Sequence, residues 1–265
     1  MEKLLVLSAV FFVVSAVFSM IGMGGGTLYV PILLFAGYTI KQAPAISLVL
    51  IIATSATAMT AYWRGGRVDW KLTAVIGSTM LVAAFAGGYF SGFASKDLLL
   101  SLLAGVLVVA GVLMLKNPAK DAAPVVRGGA RWLWHRHFGG HDYRINLPLI
   151  LGAAALISMV SGMLGITGGI IILPVMVLLC GVPMDVAIAS TMAIVGLTAL
   201  SGLAGHAIHG HIEWTTAAAL AVSAALGGFA GGKISLSMNK DTLKKSFGIL
   251  VLLIAARMIF RLVAG

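Results

Sequence analysis

Charge is scarce in this chain of 265 residues, and acidic charge is the scarcest. Only 10% of the residues are charged and 60% are hydrophobic, which excludes a soluble globular fold because such a fold needs a charged exterior. A single cysteine, Cys180, excludes an intramolecular disulfide, and its apolar surroundings suit packing better than chemistry. This composition predicts a polytopic membrane protein.

Acidic residues are missing from the middle of every apolar segment. All eight fall in loops or at segment ends: Glu2, Asp69, Asp97, Asp121, Asp142, Asp185, Glu213 and Asp241. Cation transporters and carboxylate proton relays keep acidic groups inside the membrane, so the pattern disfavours a cation as substrate. No set of residues suggests catalysis, and we expect no enzyme activity, no cofactor and no bound metal.

Apolar runs divide the chain into two sets of five segments when they are compared with the roughly 20 residues that cross a bilayer. The runs cover about 4–20, 27–37, 43–63, 72–93 and 98–115, then 147–164, 170–181, 186–208, 215–237 and 243–263. The second run of each set is too short to span, as in a re-entrant hairpin or a broken helix. The first run lacks a convincing signal-peptide cleavage site, so we expect it in the mature protein.

A glycine-rich string occurs twice. GMGGG at Gly22 to Gly26 returns as GITGG at Gly165 to Gly169, each five residues ahead of a proline. At a spacing of 143 residues Ser47 also falls on Ser190. At a spacing of 144, the further matches are Gly66 to Trp70 with Gly210 to Trp214, and Phe85 to Gly88 with Phe229 to Gly232. The chain is therefore an internal duplication: a first transmembrane repeat at 1–115, a basic linker at 116–146 and a second repeat at 147–265.

Basic residues predict the orientation. The linker carries Lys116, Lys120, Arg127, Arg131, Arg136 and Arg144, which predicts a cytoplasmic location. Counting crossings from it puts equivalent loops of the two repeats on opposite sides, so we expect an all-α fold of inverted-topology repeats in a bacterial inner membrane, multi-pass. Trp132 and Trp134 beside the arginines predict a short amphipathic helix on the lipid surface, and no nucleic acid is needed to explain the charge.

The two glycine breaks predict an anion site. A helix that begins just after glycines directs unpaired N–H groups and the positive end of its dipole at a ligand, and oxygen atoms reach the amides directly. The candidate substrate-binding residues are Gly22, Gly24, Gly25, Gly26, Thr27, Ser47, Thr54, Gly165, Thr167, Gly168, Gly169, Ser190 and Thr191, with Ser47 and Ser190 as the preferred hydroxyl pair. By contrast, Gly87, Gly88, Gly231 and Gly232 suit close helix packing.

Three histidines, His206, His209 and His211, follow one another at the outer end of a segment. His206 and His209 share a helical face and are the candidates for a proton acceptor in coupled transport, or for a metal pair. With no carboxylate nearby except Glu213, we favour a place at the membrane interface without a metal.

These motifs resemble the sulfite exporter TauE/SafE family of membrane permeases. The doubled glycine break with its proline and the doubled G-x-V/I-D/E-W loop carry the resemblance, which covers nearly the whole chain outside the linker. It implies a plasma-membrane carrier of small sulfur-containing anions such as sulfite, sulfonates or sulfoacetate. One departure is Thr167, which stands where a fuller second motif would carry glycine.

We therefore expect a secondary transporter that exports such an anion by alternating access, with the anion held between the two breaks. Export needs no coupled ion, because each negative charge gains about 2.3 kcal/mol per 100 mV on leaving a negative-inside cell. The alternatives are proton-coupled uptake through His206 or His209, a passive anion channel, and a metal permease using the outer histidines. The expected partners are the anion and the lipid bilayer, and the sequence leaves a homo-oligomer open.

Overall fold

The computed structural model describes residues 2–115, 132–208, 213–235, 249, 252–257 and 259–260. In the first half, α1 spans Glu2–Ile21, α2 Gly26–Phe35, α3 Ala43–Arg64, α4 Trp70–Ser91 and α5 Lys96–Leu115. In the second half, α6 spans Leu147–Leu164, α7 Gly169–Cys180, α8 Met184–Ala207 and α9 Trp214–Ser235. The tenth apolar segment, at 243–263, lies mostly outside the described residues, although 252–257 are helical.

Helix length separates spanning helices from short ones. Seven of the described helices are long and apolar enough to cross a membrane. The other two, α2 and α7, have 10 and 12 residues, which gives them about 15 and 18 Å at 1.5 Å per residue, well short of a bilayer core. The all-α polytopic class is confirmed, and both short helices lie directly after the glycine breaks.

Corresponding helices of the two halves make corresponding contacts. α4 packs on α6 and α8, whereas its counterpart α9 packs on α1 and α3. The fourth helix of each half therefore packs against helices of the other half. A Cβ atom on Gly87 would overlap a backbone carbonyl of α6, and one on Gly231 would overlap the matching carbonyl of α1. A Cβ atom on Gly88 would lie 2.4 Å from a backbone atom of α8, and one on Gly232 would lie 3.0 Å from a backbone atom of α3. The prediction that these four glycines serve close packing is confirmed.

The end of the linker is a β-hairpin, so the prediction of an amphipathic helix around Trp132 and Trp134 is wrong. β1 spans Leu133–Phe138 and pairs antiparallel with β2, His141–Asn146. The two residues between them, Gly139 and Gly140, have φ values of 62° and 77°. Such a turn matches the twist of antiparallel strands and is open mainly to glycine and asparagine. The Gly-Gly pair was the hairpin signal in the sequence.

The hairpin covers one end of the helix bundle. Tyr143 and Ile145 of β2 are buried in an apolar cluster with residues of α4, α7 and α8, among them Leu72, Met176 and Val186. Burying these side chains takes apolar surface out of water, at about 25 cal/mol per Å², and so holds the hairpin on the bundle. We call the end of the bundle that the hairpin covers the linker end.

Polar contacts group the loops at two ends. At the linker end, Arg67 forms an ion pair with Asp185 at 3.8 Å. At the other end, the Gln42 side-chain amide donates to Glu213 at 2.9 Å. These contacts join the loop before α4 to the start of α8 at the linker end, and the residues just before α3 and α9 at the other end.

Candidate functional site

The two glycine breaks have different backbone conformations. In the first, Gly22, Gly24 and Gly25 have φ values of 79°, 70° and 77°. In the second, Gly165 has a φ of 65°, but the residue before α7, Gly168, has a φ of −64°. Thr167 replaces a glycine here, and a threonine rarely adopts a positive φ. The departure from the glycine motif therefore coincides with a different path of the chain.

The two breaks touch each other backbone to backbone. A Cβ atom on Gly26 would lie 3.1 Å from the backbone nitrogen of Thr167. A Cβ atom on Gly169 would lie 3.3 Å from the carbonyl oxygen of Met23. We call this contact the crossing. It brings together the first residues of α2 and α7, which come from opposite halves of the chain.

The third helix of each half flanks the crossing with matching residues. A Cβ atom added to Gly26 would lie 2.5 Å from the Ile51 side chain of α3. One added to Gly169 would lie 2.7 Å from the Val195 side chain of α8. Ile51 and Val195 are 144 residues apart in the sequence. Large apolar side chains therefore wall the crossing on both sides and would shield a ligand there from the bilayer.

The contacts of α3 and α8 at the crossing change which hydroxyl of the second half corresponds to Ser47. In the register of Ile51 and Val195, the residue that corresponds to Ser47 is Thr191, whose methyl lies 3.5 Å from a Cβ on Gly169. Ser190 instead accepts a hydrogen bond from the backbone N–H of Asp69 at 3.1 Å. The helical face of Ser190 is therefore turned to the loop before α4, and Thr191 takes the position at the crossing.

Three candidate hydroxyls are buried without a partner. Thr27, Ser47 and Thr167 have relative exposures of 1%, 0% and 3%. Their hydroxyl oxygens have no hydrogen-bond partner among the residues that the structure describes, a condition shared with Ser19 and Thr73. An unsatisfied buried hydroxyl costs about 1–3 kcal/mol. Thr27 lies in the first turn of α2 and Thr167 two residues before α7, whereas Ser47 lies one helical turn before Ile51, which borders the crossing. Hydroxyls in these places are candidate donors to an anion.

The helix starts at the crossing present further donors. The residues that precede α2 and α7 are Gly25 and Gly168, which have no side chain to cap the helix. The first N–H groups of a helix lack intrahelical partners and lie at the positive end of its dipole. The described acidic residues all lie at helix ends or in the hairpin, so no carboxylate opposes these donors. The crossing is chemically suited to an anion.

Thr54 belongs to a neighbouring hydroxyl chain that the sequence did not reveal. The Tyr29 hydroxyl is 2.9 Å from the Thr54 hydroxyl and 2.5 Å from that of Ser15. This chain joins α1, α2 and α3 in the protein interior, and the Tyr29 ring lies against Gly25. Its only signal in the sequence was a single tyrosine in the apolar run of α2.

His206 lies in the last turn of α8 and is buried within the bundle, and its expected place at the membrane interface stays a prediction. Its Nε2 atom lies 2.9 Å from the carbonyl oxygen of Gly162, and its Nδ1 atom 3.1 Å from the hydroxyl of Ser91. His209 and His211 fall outside the described residues. Within the described ranges, no group of three His, Cys, Asp or Glu side chains could hold a metal ion.

Asp69 is the centre of a buried ion pair at the linker end that sequence reading did not find. It is 1% exposed and accepts hydrogen bonds from Arg136 at 2.6 and 3.2 Å and from the Tyr143 hydroxyl. It also caps α4 by accepting from the N–H groups of Lys71 and Leu72. Burial alone would raise the pKa of Asp69, but the hydrogen bonds from Arg136, Tyr143 and Leu72 outweigh it and lower that pKa.

Comparison with known proteins places the chain in a family. The model of the family described as "Sulfite exporter TauE/SafE" matches residues 7–258. The probable membrane transporter protein YunE of Bacillus subtilis (strain 168) is 30% identical over 253 residues, which cover 91% of this chain and 92% of the relative. A probable membrane transporter protein of Xylella fastidiosa (strain 9a5c) is 27% identical over 247 residues, which cover 91% and 89%.

A more distant relative is a probable membrane transporter protein of Methanocaldococcus jannaschii. It is 25% identical over 199 residues, which cover 72% of this chain and 68% of the relative. No solved structure gives a significant match. From the family match over residues 7–258, together with the seven apolar helices of spanning length, the chain belongs to the sulfite exporter TauE/SafE family and is a membrane transporter.

Proposed function

We propose that this transporter exports small sulfur-containing anions, sulfite or an organosulfonate, and that the anion binds at the crossing of the two glycine breaks. The family name supports the class of substrate. The observation that supports the site is the pair of buried hydroxyls beside two uncapped helix starts, Thr27 and Thr167, which have no hydrogen-bond partner among the described residues; Ser47, one turn before Ile51, shares that condition.

The chemistry of the crossing fits an oxyanion held without a basic side chain. Each helix start contributes about half a positive charge, so two starts together offset about one of the two negative charges of a dianion. Backbone N–H groups and hydroxyls accommodate the several acceptor oxygens of sulfite or a sulfonate. Because no lysine or arginine of the described residues contacts the crossing glycines, the anion would bind weakly enough for release in a transport cycle.

Alternating access accounts for the arrangement of the helices. α4 packs with α6 and α8, and α9 packs with α1 and α3, which gives two helix groups, each with members of both halves, that can rock against each other. In this state the breaks are in contact and the hairpin covers the linker end, which the basic residues predict to be cytoplasmic. Opening that end would admit the anion to the crossing, and opening the other would release it.

Proton-coupled uptake of the same anions is the second candidate function. The buried position of His206 and its hydrogen bonds favour it. Both ring nitrogens of this buried histidine are hydrogen-bonded, to Gly162 and to Ser91, so a change in its protonation would alter contacts between α4, α6 and α8. Export predicts flux driven by membrane potential alone, whereas coupled uptake predicts flux that requires a proton gradient.

The test is flux of sulfite and of a sulfonate in proteoliposomes with hydroxyl-to-methyl variants. Thr27→Val and Thr167→Val keep the side-chain volume but remove the donor, so we expect each to raise the half-saturating anion concentration about tenfold. Thr73→Val is the matched control, since Thr73 is a buried hydroxyl without a described partner in the first turn of α4, at the linker end. Normal half-saturation in both crossing variants would remove the site from the proposal.

A further inference from the structure

Two chemically different side chains make the same contact in the two halves of the chain. The Tyr62 hydroxyl donates to the carbonyl oxygen of Ser19 at 2.6 Å. His206 Nε2 lies 2.9 Å from the carbonyl oxygen of Gly162. Tyr62 and His206 are 144 residues apart, and the two carbonyls are 143 apart. A carbonyl oxygen is only an acceptor, so Nε2 of His206 carries a proton and donates.

Each carbonyl closes the helix that leads into a glycine break. The N–H of Gly22 donates to the Ser19 carbonyl at 3.2 Å, and the N–H of Gly165 to the Gly162 carbonyl at 3.3 Å. The last carbonyls of a helix have no intrahelical donor, so their outside partners set the direction in which the chain leaves. The side-chain donor and the first glycine of the break thus share one acceptor in each half.

The same contact is made by Tyr62 in one half and by His206 in the other, which indicates what this position requires of its side chain. A phenol and an imidazole differ in shape and in acid–base behaviour, yet both are buried, at 2% and 7% exposure, and both donate at the corresponding place. Packing alone would favour side chains of similar shape. The property shared by Tyr62 and His206 is a hydrogen-bond donor aimed from the third helix of each half at the end of the first.

We propose that Tyr62 and His206 are positioning residues that fix the two glycine breaks for anion binding. This inference rests on the proposed function, in which the breaks hold the anion. Each residue ties the carbonyl three positions ahead of its break to the outgoing end of α3 or α8. Loss of the donor lets the last turn of α1 or α6 loosen, and the N–H groups and hydroxyls beyond it lose their alignment.

Flux variants separate a donor from a space-filling side chain. Tyr62→Phe removes only the hydroxyl, and His206→Leu removes the donor at similar bulk, so both are expected to raise the half-saturating sulfite concentration about tenfold. His206→Gln retains an N–H of similar reach and is expected to stay within about twofold of the parent protein. Ser91→Ala, which removes the other partner of His206, serves as the matched control and is expected to do the same.

Hydrogen exchange tests the positioning without any substrate. Tyr62→Phe is expected to accelerate exchange in peptides covering 22–26 only, His206→Leu in peptides covering 165–169 only, and His206→Gln in neither. Unchanged exchange in both donor-free variants, or equal effects of His206→Gln and His206→Leu, would overturn the inference. If the parent protein carries no sulfur anion but the exchange pattern holds, the substrate proposal fails and the positioning role stands.

Discussion

Gly26 and Thr167, which are 141 residues apart in the sequence, meet so closely that a Cβ atom on Gly26 would lie 3.1 Å from the backbone nitrogen of Thr167. The contact joins the start of one short helix to the residues before the other. The approach is possible because Gly26 and Gly169 have no side chain at the points where they meet the backbone of the opposite break. The crossing is therefore a consequence of sequence as well as of topology.

Enlarging Gly26 is expected to stop transport. In Gly26→Ala the added carbon would overlap the Ile51 side chain at 2.5 Å and press on the backbone nitrogen of Thr167 at 3.1 Å, which cannot rotate away. We expect anion flux to fall at least tenfold while the protein remains in the membrane. The controls are Gly105→Ala and Gly152→Ala, where an added Cβ meets no atom within 4 Å. Equal flux in Gly26→Ala and the controls would contradict the crossing.

The two breaks should differ in their tolerance of side chains at Gly25 and Gly168. A Cβ on either residue would lie 2.4 Å from a side-chain atom, of Tyr29 for Gly25 and of Ile157 for Gly168, but Gly25 has a φ of 77° and Gly168 a φ of −64°. The positive φ alone costs an L residue about 1–2 kcal/mol. Gly25→Ala should therefore lower the melting temperature more than Gly168→Ala, and valine at either position should stop transport. The reverse order of melting temperatures would show that the breaks are misassigned.

Breaking the buried ion pair at the linker end should release the hairpin. Asp69→Asn leaves Arg136 without its counter-charge, and we expect a loss of stability of about 3 kcal/mol. Trypsin cleavage after Arg136 should accelerate accordingly. Asp142→Asn is the matched control, because the ion pair of Asp142 with His137 is exposed and contributes little. The same cleavage rate in both variants would contradict the burial of Asp69.

The lowered pKa of Asp69 predicts how hairpin docking depends on pH. A carboxyl group whose folded pKa lies below its ordinary value of 3.8 adds stability above that ordinary value and loses it only as the pH falls through the lowered one. The rate of trypsin cleavage at Arg136, measured after brief exposure to each pH, reports how well the hairpin is docked. It should therefore be the same after exposure to pH 8 and to pH 5. Release of the hairpin between those values would require a raised pKa and would contradict the ion pair.

Cross-linking the hairpin to α8 should stop transport reversibly. A Cβ atom on Gly139 would lie 3.9 Å from a methyl of Val186, so cysteines at both positions, in a Cys180→Ala background, are within reach of a short reducible thiol cross-linker or of a direct disulfide. We expect flux to be lost on oxidation and restored by a reductant, with each single-cysteine variant unaffected. Full flux in the oxidised double variant would show that the linker end does not open during transport.

Local signals in the sequence predicted much of the fold. The spanning segments followed from apolar length, and the short helices followed from the glycines ahead of Pro31 and Pro174. The packing role of Gly87 and its counterparts followed from their place inside apolar runs. These features depend on residues close together in the chain, where composition and spacing are informative.

Features that depend on distant contacts could not be predicted in this way. The burial of Asp69 requires Arg136 and Tyr143, which approach it only once the linker folds back as a hairpin. The pairing of Ser47 with Thr191 depends on which helical faces meet at the crossing, and a shift of one residue in register moves a side chain by 100° around a helix. A single tyrosine, Tyr29, gave no sign of its hydroxyl partners.

The most direct test of the account is sulfite flux in proteoliposomes of the purified protein, with membrane potential and pH gradient imposed separately, for the parent protein and Thr167→Val. We expect saturable flux that follows the potential alone in the parent protein and a half-saturating concentration about tenfold higher in the variant. No flux of sulfite or any sulfonate, or flux identical in the two proteins, would contradict it.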